Sequence, residues 1–388
     1  GKDHRVVRYD LERETSTVLL NRNLVDRGNN GGSSEVLAMV VTDDDRTLVT
    51  GGRDGLVRIY DVRLMGNDKS GGLGGGDKPG GLVTTFRGHK GPVTSLALRS
   101  QSMDLFSGSE DRCIRHYNLN EMAYLETLYG HEHPITSLSV CSTASSNNIR
   151  PISTSRDRTH RLWKLREESH LIFRGKSSDP SSDTIRYIKD HWFVSGNERG
   201  DLSLWNVEKK KPVDIISGAH GSGDGTGNGN MIVSCDCLIG SDLVATGSHD
   251  GYLKFWKART GKSLSERGID PVLLPSSTSS PLLSTISTIQ ENQQEQAQIP
   301  IHGFLNEIKI VQKAQFALVA VGQEHRLGRW LRIPRAKNRL AIVKLMSCNA
   351  DFDDDENGKD DDENMKKENN KVEDGDSDSD SSNDSSES

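Results

Sequence analysis

His131, Ser153 and Asp157 supply the three side-chain types of a hydrolase triad, in which histidine draws the proton from a serine oxygen and a carboxylate holds the imidazole. The trio recurs as His89, Ser107 and Asp111, and again as Thr246 and Asp250 with a more distant His220. Each set precedes an aromatic residue: Trp163, Tyr117 or Trp256. A nucleophile that returns at regular spacing with its aromatic neighbour is a repeated packing device rather than one active site. No nucleophile and base stand apart from these sets, so no enzyme activity is expected. Asp43, Asp44 and Asp45 offer carboxylates for a cation, but consecutive residues in a turn do not converge on one ion. The glycine-rich stretches at 66–81 and 218–230 carry no GK[ST] ahead of a helix. No metal, cofactor or small-molecule substrate is expected.

A second set of residues suits phosphate and base contacts. Arg53, Arg112, Arg156, Arg158, Arg199 and Arg326 lie in or beside polar turns, where guanidinium groups could grip phosphates and stack on exposed bases. Gln323 and His325 could read base edges or a 2′-hydroxyl. Arg199 stands where comparable turns carry Asp. Arg112 and Arg158 directly follow a turn Asp, a place equally suited to a solvated side chain.

One repeated unit positions all of these residues. It consists of a small-residue stretch, a polar turn and an alternating strand that ends in an aromatic residue. Copies begin at Gly1, Gly51, Gly108, Ser153, Ser195, Gly247 and Gly322. Most follow another alternating apolar stretch, such as 92–98 or 134–140, and several follow Gly-His, as at Gly88-His89 and Gly130-His131. Short period-2 strands between turn residues must pair into sheets, and radial closure leaves few exposed edges. The units resemble the WD40 family, which implies an all-β, seven-bladed WD40 β-propeller with four strands, a to d, running outward in each blade. The resemblance gives the His, Ser or Thr, Asp and aromatic residues a structural hydrogen-bonding role.

On this pattern the third blade has strands near 92–98, 104–109, 113–119 and 123–129. The seventh has strands near 303–310, 316–322, 327–333 and 339–345. The first copy reads as the turn and strand c of a blade truncated at the N-terminus. Domain limits follow at 1–345 for the propeller, with insertions near 66–81, 218–230 and 275–300, and at 346–388 for a disordered acidic tail.

Charge divides along the same boundary. The 388 residues carry a formal net charge of −7, yet residues 351–388 hold 17 Asp and Glu against 4 Lys, which leaves a mildly basic body. Ser377 and Ser381 each precede Asp by three residues, a pattern acidophilic kinases favour, and phosphorylation there would add about −1.5 to −2 charges per site. The five cysteines form no CxxC pair and read as packing residues. The longest apolar run, Phe316–Val321, is too short to span a bilayer, and no membrane association is expected.

The strongest departure from the repeat is Val319–Ile333, VAVGQEHRLGRWLRI. With YLETLYGH at 124–131, KKKPV at 209–213 and 242–256, it resembles the U3 small nucleolar RNA-interacting WD-repeat proteins. That resemblance implies binding to U3 RNA at its box B/C region and placement beside a kink-turn-binding protein and other box C/D particle proteins. It also implies work in the small-subunit processome on pre-ribosomal RNA, in the nucleus and nucleolus. The competing reading is a protein-interaction propeller, for which Tyr60-Asp61-Val62-Arg63 resembles the WDxR motif of cullin ligase receptors.

Overall fold

Alternating apolar residues need a partner strand on each side, and short polar turns let consecutive strands provide it. The computed structural model describes residues 6–10, 13, 15–20, 35–65, 81–99, 101–141, 149–175, 179–189, 191–221, 229–238, 241–260, 267–271, 298–311, 316–328 and 331–345. The compact unit spans Gly1–Met346. Residues 346–388, with Ser377 and Ser381, lie outside the described set.

The first repeat forms a hairpin of Val6–Asp10 (β1) and Thr15–Leu20 (β2). Blades are numbered here after their repeats. Blade 2 comprises Val36–Val41 (β3), Thr47–Gly52 (β4), Val57–Asp61 (β5) and Leu82–Phe86 (β6). Blade 3 comprises Val93–Arg99 (β7), Asp104–Ser109 (β8), Ile114–Asn118 (β9) and Ala123–Leu128 (β10). Blade 4 comprises Ile135–Val140 (β11), Pro151–Ser155 (β12), Thr159–Lys164 (β13) and Ser169–Arg174 (β14). Blade 5 comprises Ser182–Lys189 (β15), Trp192–Asn197 (β16), Leu202–Asn206 (β17) and Asp214–Ile216 (β18).

Blade 6 uses Ile232–Cys237 (β19), Leu243–Ser248 (β20) and Tyr252–Thr260 (β21). Its outer position is shared by Arg267–Pro271 (β22) and Gln298–Pro300 (β23), which pair with opposite halves of β21. The insertion expected at 275–300 ahead of blade 7 therefore interrupts an outer strand of blade 6. Blade 7 comprises Phe304–Val311 (β24), Phe316–Gly322 (β25) and Arg339–Lys344 (β26).

Two expectations are corrected. The described residues form six blades and not seven, because the first repeat provides only the β1–β2 pair. That hairpin packs Val6 and Leu19 against Leu48, Tyr60 and Met65 of blade 2. The second correction concerns blade 7, where β26 lies directly against β25, from Phe316↔Lys344 to Val321↔Arg339. Of the stretch expected as a strand at 327–333, the described residues 327, 328 and 331–333 belong to no strand, and Arg332 makes an isolated bridge to Glu324. Gly328 turns the chain at φ 70°, its N–H bonded 2.9 Å from the His325 carbonyl, and Pro334 cannot donate to a ladder.

The inner strands stand side by side in the order β3, β7, β11, β15, β19, β24. The glycine that recurs in strand b makes this spacing possible. A Cβ on Gly51 would lie 2.6 Å from Val93 Cγ1, and one on Gly108 would lie 2.8 Å from Ile135 Cγ2. Larger residues would force neighbouring blades apart. Between the sheets sit contiguous apolar cores, such as Val57, Ile59, Val93, Leu105 and Tyr117 between blades 2 and 3. Phe193 and Trp205 stack at 5.8 Å within blade 5. Burial of each such side chain contributes about 1.5–3 kcal/mol.

Candidate functional site

The three His, Ser or Thr, and Asp sets lie at the ends of strands where the turn between strands b and c meets the entry to strand a. In blade 4, His131 Nδ1 lies 2.7 Å from Asp157 Oδ2 and Nε2 lies 2.7 Å from Ser153 Oγ. Trp163 Nε1 donates to the same Ser153 oxygen at 2.9 Å. One directional relay satisfies every group: indole to hydroxyl, hydroxyl to imidazole, imidazole to carboxylate. Blade 3 repeats it with His89 2.8 Å from Asp111 and 2.7 Å from Ser107, beside Tyr117. Blade 6 repeats it with His220 2.8 Å from both Asp250 and Thr246, and Trp256 2.7 Å from Thr246. Ser107, Ser153 and Thr246 are 0% exposed, so no substrate carbonyl can approach these hydroxyls.

Burial opposes ionisation of Asp111, yet hydrogen bonds from His89 and from the Lys90 and Cys113 amides outweigh it and hold the carboxyl at about 2. The same balance places Asp157 well below the carboxylate range. Burial pushes His131 and His220 below the ordinary imidazole value and takes His160 to about 3. The unfolded chain therefore binds more protons than the native one below about pH 6.5, and stability falls with pH. Each such histidine costs about 1.4 kcal/mol per pH unit until its own folded value is reached. Asp111 and Asp157 add to the loss once the pH passes below the unfolded carboxylate value. The urea midpoint should drop measurably between pH 7 and pH 5, and a flat profile would contradict this protonation scheme.

The remaining sequence candidates settle into structural places. Asp44 accepts from the Arg46 amide at 3.1 Å and from the Thr42 hydroxyl, closing the turn of the aspartate run. Among the described residues no group of His, Cys, Asp or Glu could hold a metal ion. Asp61 caps a short 3-10 turn over Val62–Leu64 and binds Arg63 at 2.7 Å, while Tyr60 is buried. Cys235 and Cys237 are buried in β19, and burial pushes the Cys235 thiol up to about 11. Lys209, Lys210 and Lys211 are exposed in the turn between β17 and β18.

The turns between strands b and c carry the arginines. Arg112, Arg156, Arg158 and Arg199 are exposed there, whereas Arg53 is paired with Glu35 at 2.7 Å. Each turn needs one residue in the left-handed conformation. Blades 2, 5 and 6 use glycine for it: Gly55 at φ 76°, Gly200 at 81° and Gly251 at 85°. Blades 3 and 4 use Arg112 at 71° and Arg158 at 63°. A side chain in that conformation costs on the order of 1–2 kcal/mol, and strain of this kind concentrates at functional sites.

Gln323, His325 and Arg326 are engaged within the propeller rather than presented with those arginines. Gln323 donates through its side chain to the Ala336 carbonyl at 2.8 Å and through its amide to Asn338 at 3.0 Å. His325 is 1% exposed and meets the Phe304 ring edge-on at 6.4 Å. Arg326 points to the axis, where its guanidinium donates to the carbonyls of Thr94 at 2.6 Å and Thr136 at 2.9 Å. Its amide donates to Asn306 at 2.9 Å. Blade 7 is thereby tied across the opening to the inner strands of blades 3 and 4. Nearby, Thr94 donates to the Ile135 carbonyl at 2.6 Å, Thr136 to Ser182 at 2.7 Å and Ser234 to Leu305 at 2.6 Å, so adjacent inner strands are laced around the axis.

The loop that buries His325 and holds Gln323 and Arg326 half-buried exposes others. Residues 323–338 connect strand b to β26, so Arg332, Arg335 and Lys337 belong to the same side as Arg112 and Arg158. Glu324 lies 3.6 Å from Arg332 and orients it. Trp330 and Arg329 lie outside the described residues. Sequence reasoning also passed over Arg186, whose guanidinium binds Glu307 at 2.7 Å and so joins blade 5 to blade 7. No turn or repeat position flagged it, because it lies within an inner strand.

Comparison with known proteins supports the propeller fold. The WD domain, G-beta repeat family matches residues 25–61, 80–118, 122–164 and 222–257. The chain is 30% identical over 321 residues to the U3 snoRNP-associated protein-like EMB2271 of Arabidopsis thaliana, covering 81% of this chain and 57% of that protein. It is 31% identical over 317 residues to the U3 small nucleolar RNA-interacting protein 2 of Homo sapiens, covering 81% and 56%. The chain thus spans a little over half the length of these curated relatives. The solved structure of U3-55K is 30% identical and superposes with a TM-score of 0.71 over 89% of this chain and 90% of that one.

Proposed function

Because the chain belongs to the family of WD40-repeat propellers that includes the U3 snoRNP-associated proteins, we propose that it is a non-catalytic, U3 RNA-binding component of the box C/D particle. In this reading it acts in pre-ribosomal RNA processing and small-subunit assembly in the nucleolus. It sits beside a kink-turn-binding protein and grips the box B/C region of U3 RNA. The observation that carries the RNA-binding part is the pair of left-handed arginines, Arg112 and Arg158, where three other blades place glycine. Backbone strain tolerated in two adjacent blades, with the strained side chains exposed, favours a ligand that repays it.

The RNA grip assigned here uses Arg112, Arg156, Arg158 and Arg199, joined by Arg332, Arg335 and Lys337 of the blade 7 loop. Guanidinium groups suit the phosphates and unstacked bases of a structured RNA with single-stranded bulges. The test is a double exchange, Arg112→Gly with Arg158→Gly. It relieves both strained backbones, so the melting temperature should hold or rise, while affinity for a U3 transcript should fall and the salt dependence of binding should flatten by about one unit per lost phosphate contact. An unchanged affinity and salt slope would remove these arginines from the interface.

A further inference from the structure

A cavity of about 450 Å³ opens on this rim between blades 3 and 4, with Lys90, Arg112, Arg115 and Tyr129 among its walls. Its floor owes its shape to two glycines. A Cβ on Gly88 would collide with the Arg115 guanidinium, and one on Gly130 would collide with that of Arg161. Arg115 crosses Gly88, donating to its carbonyl at 2.7 Å, and lies 5.7 Å above the Tyr124 ring. The Asp111 carboxylate on the cavity wall is already occupied by His89 at 2.8 Å, the Lys90 amide at 3.0 Å and the Cys113 amide at 3.0 Å. Its acceptor positions are therefore taken up internally, although the carboxylate stays ionised.

What faces the solvent has the opposite character. Tyr129 is 70% exposed, and no aromatic partner of its ring occurs among the described residues. Lys90 and Arg112 are exposed on the same cavity, and Arg112 is one of the two arginines held in the left-handed conformation. A bare aromatic face beside two cations, over a cavity within the usual size range of small-ligand sites, is the chemistry that receives an unstacked base and its phosphate.

We propose that this cavity holds a single unpaired RNA nucleotide, its base stacked on Tyr129 and its phosphate held by Lys90 and Arg112. The inference rests on the RNA-binding reading above and adds the place where one base leaves the stack. Base stacking on an aromatic residue is sequence-tolerant, so the site grips a flipped nucleotide without selecting strongly among the four bases. Tyr129 occupies the surface ahead of Gly130 and carries no packing load, so its exchange leaves the fold intact.

The test measures affinity for an in vitro U3 transcript with Tyr129→Ala and Tyr129→Phe, beside wild type and the Arg112→Gly, Arg158→Gly variant. Tyr129→Ala should weaken binding about tenfold and Tyr129→Phe much less, since the ring does the work. Ultraviolet crosslinking of the wild-type complex should place a nucleotide adduct on the peptide containing Tyr129. Wild-type affinity in Tyr129→Ala with binding lost in the arginine variant would overturn the cavity and leave the RNA reading standing. No U3 binding by wild type would overturn both. Selective loss of a phosphoserine peptide, with RNA affinity unchanged, would assign the cavity to a protein partner and overturn the proposal.

Discussion

Replacing Asp157 by alanine should lower the folding stability by about 3–5 kcal/mol, because removing one member of a buried charged hydrogen-bond set strands the others. His131 would lose the acceptor 2.7 Å from its Nδ1, and the amides of Glu132 and Thr159 would lose theirs at 3.1 and 2.9 Å. The hydroxyl of Thr159 would lose one too, at 2.6 Å. The His131 imidazole and the Thr159 hydroxyl are buried and cannot turn to water without opening the junction between strand a and the turn. Asp54 offers the contrast: it is exposed and bound to Arg58, so Asp54→Ala should cost well under half as much. Urea denaturation of the two variants would check the difference, and equal losses would contradict the relay as the source of blade stability.

Arg326→Ala should be almost as damaging, with a loss of about 3–5 kcal/mol from two charge-assisted hydrogen bonds to carbonyls of the inner strands. Its effect should spread beyond blade 7, because the carbonyls it binds belong to Thr94 of blade 3 and Thr136 of blade 4. Hydrogen exchange should rise in β7 and β11 as well as in the loop. Protection lost only in residues 323–328 would show that the side chain braces its own loop and does not tie the axis. This expectation also changes how a loss of RNA binding in Arg326 variants is read: a weakened propeller explains it without any contact to RNA.

Much of the fold was legible because period-2 alternation, Gly-His pairs and turn residues are local signals. Strands expected at 92–98, 104–109, 113–119 and 123–129 correspond to β7 at 93–99, β8 at 104–109, β9 at 114–118 and β10 at 123–128. Blade 7 defeated the same logic. GQEHRLGRW aligns with the turn and strand of other repeats, but Gly328 turns the chain, Gln323 is gripped through its side chain, and β26 takes the third position beside β25. An alternating pattern cannot reveal which of two candidate strands takes the ladder when both lie in sequence after strand b.

The site was legible in type more than in place. Arginines in turns were visible, and so was Arg199 at an Asp position. What separated Arg112 and Arg158 from Arg326 was geometry: two side chains held outward by a left-handed backbone, against one drawn inward to carbonyls on distant blades. Lys90, Arg115 and Tyr129 come from three separate turns and strands, and only the junction of blades 3 and 4 gathers them. The nearest sequence signal was the Gly-His pair at 88–89 and 130–131, whose glycines leave room for crossing arginines.

The most direct test of the RNA-binding account is crosslinking of the full-length protein in cells, followed by sequencing of the attached RNA. Wild type should be compared with a variant carrying Arg112→Gly, Arg156→Ala, Arg158→Gly and Arg199→Ala, its melting temperature matched to wild type. The account predicts U3 RNA as the dominant crosslink of wild type and its loss from the variant. Wild-type protein that recovers no U3 RNA, or whose partners survive ribonuclease unchanged, would contradict it and mark the propeller as a protein-interaction scaffold.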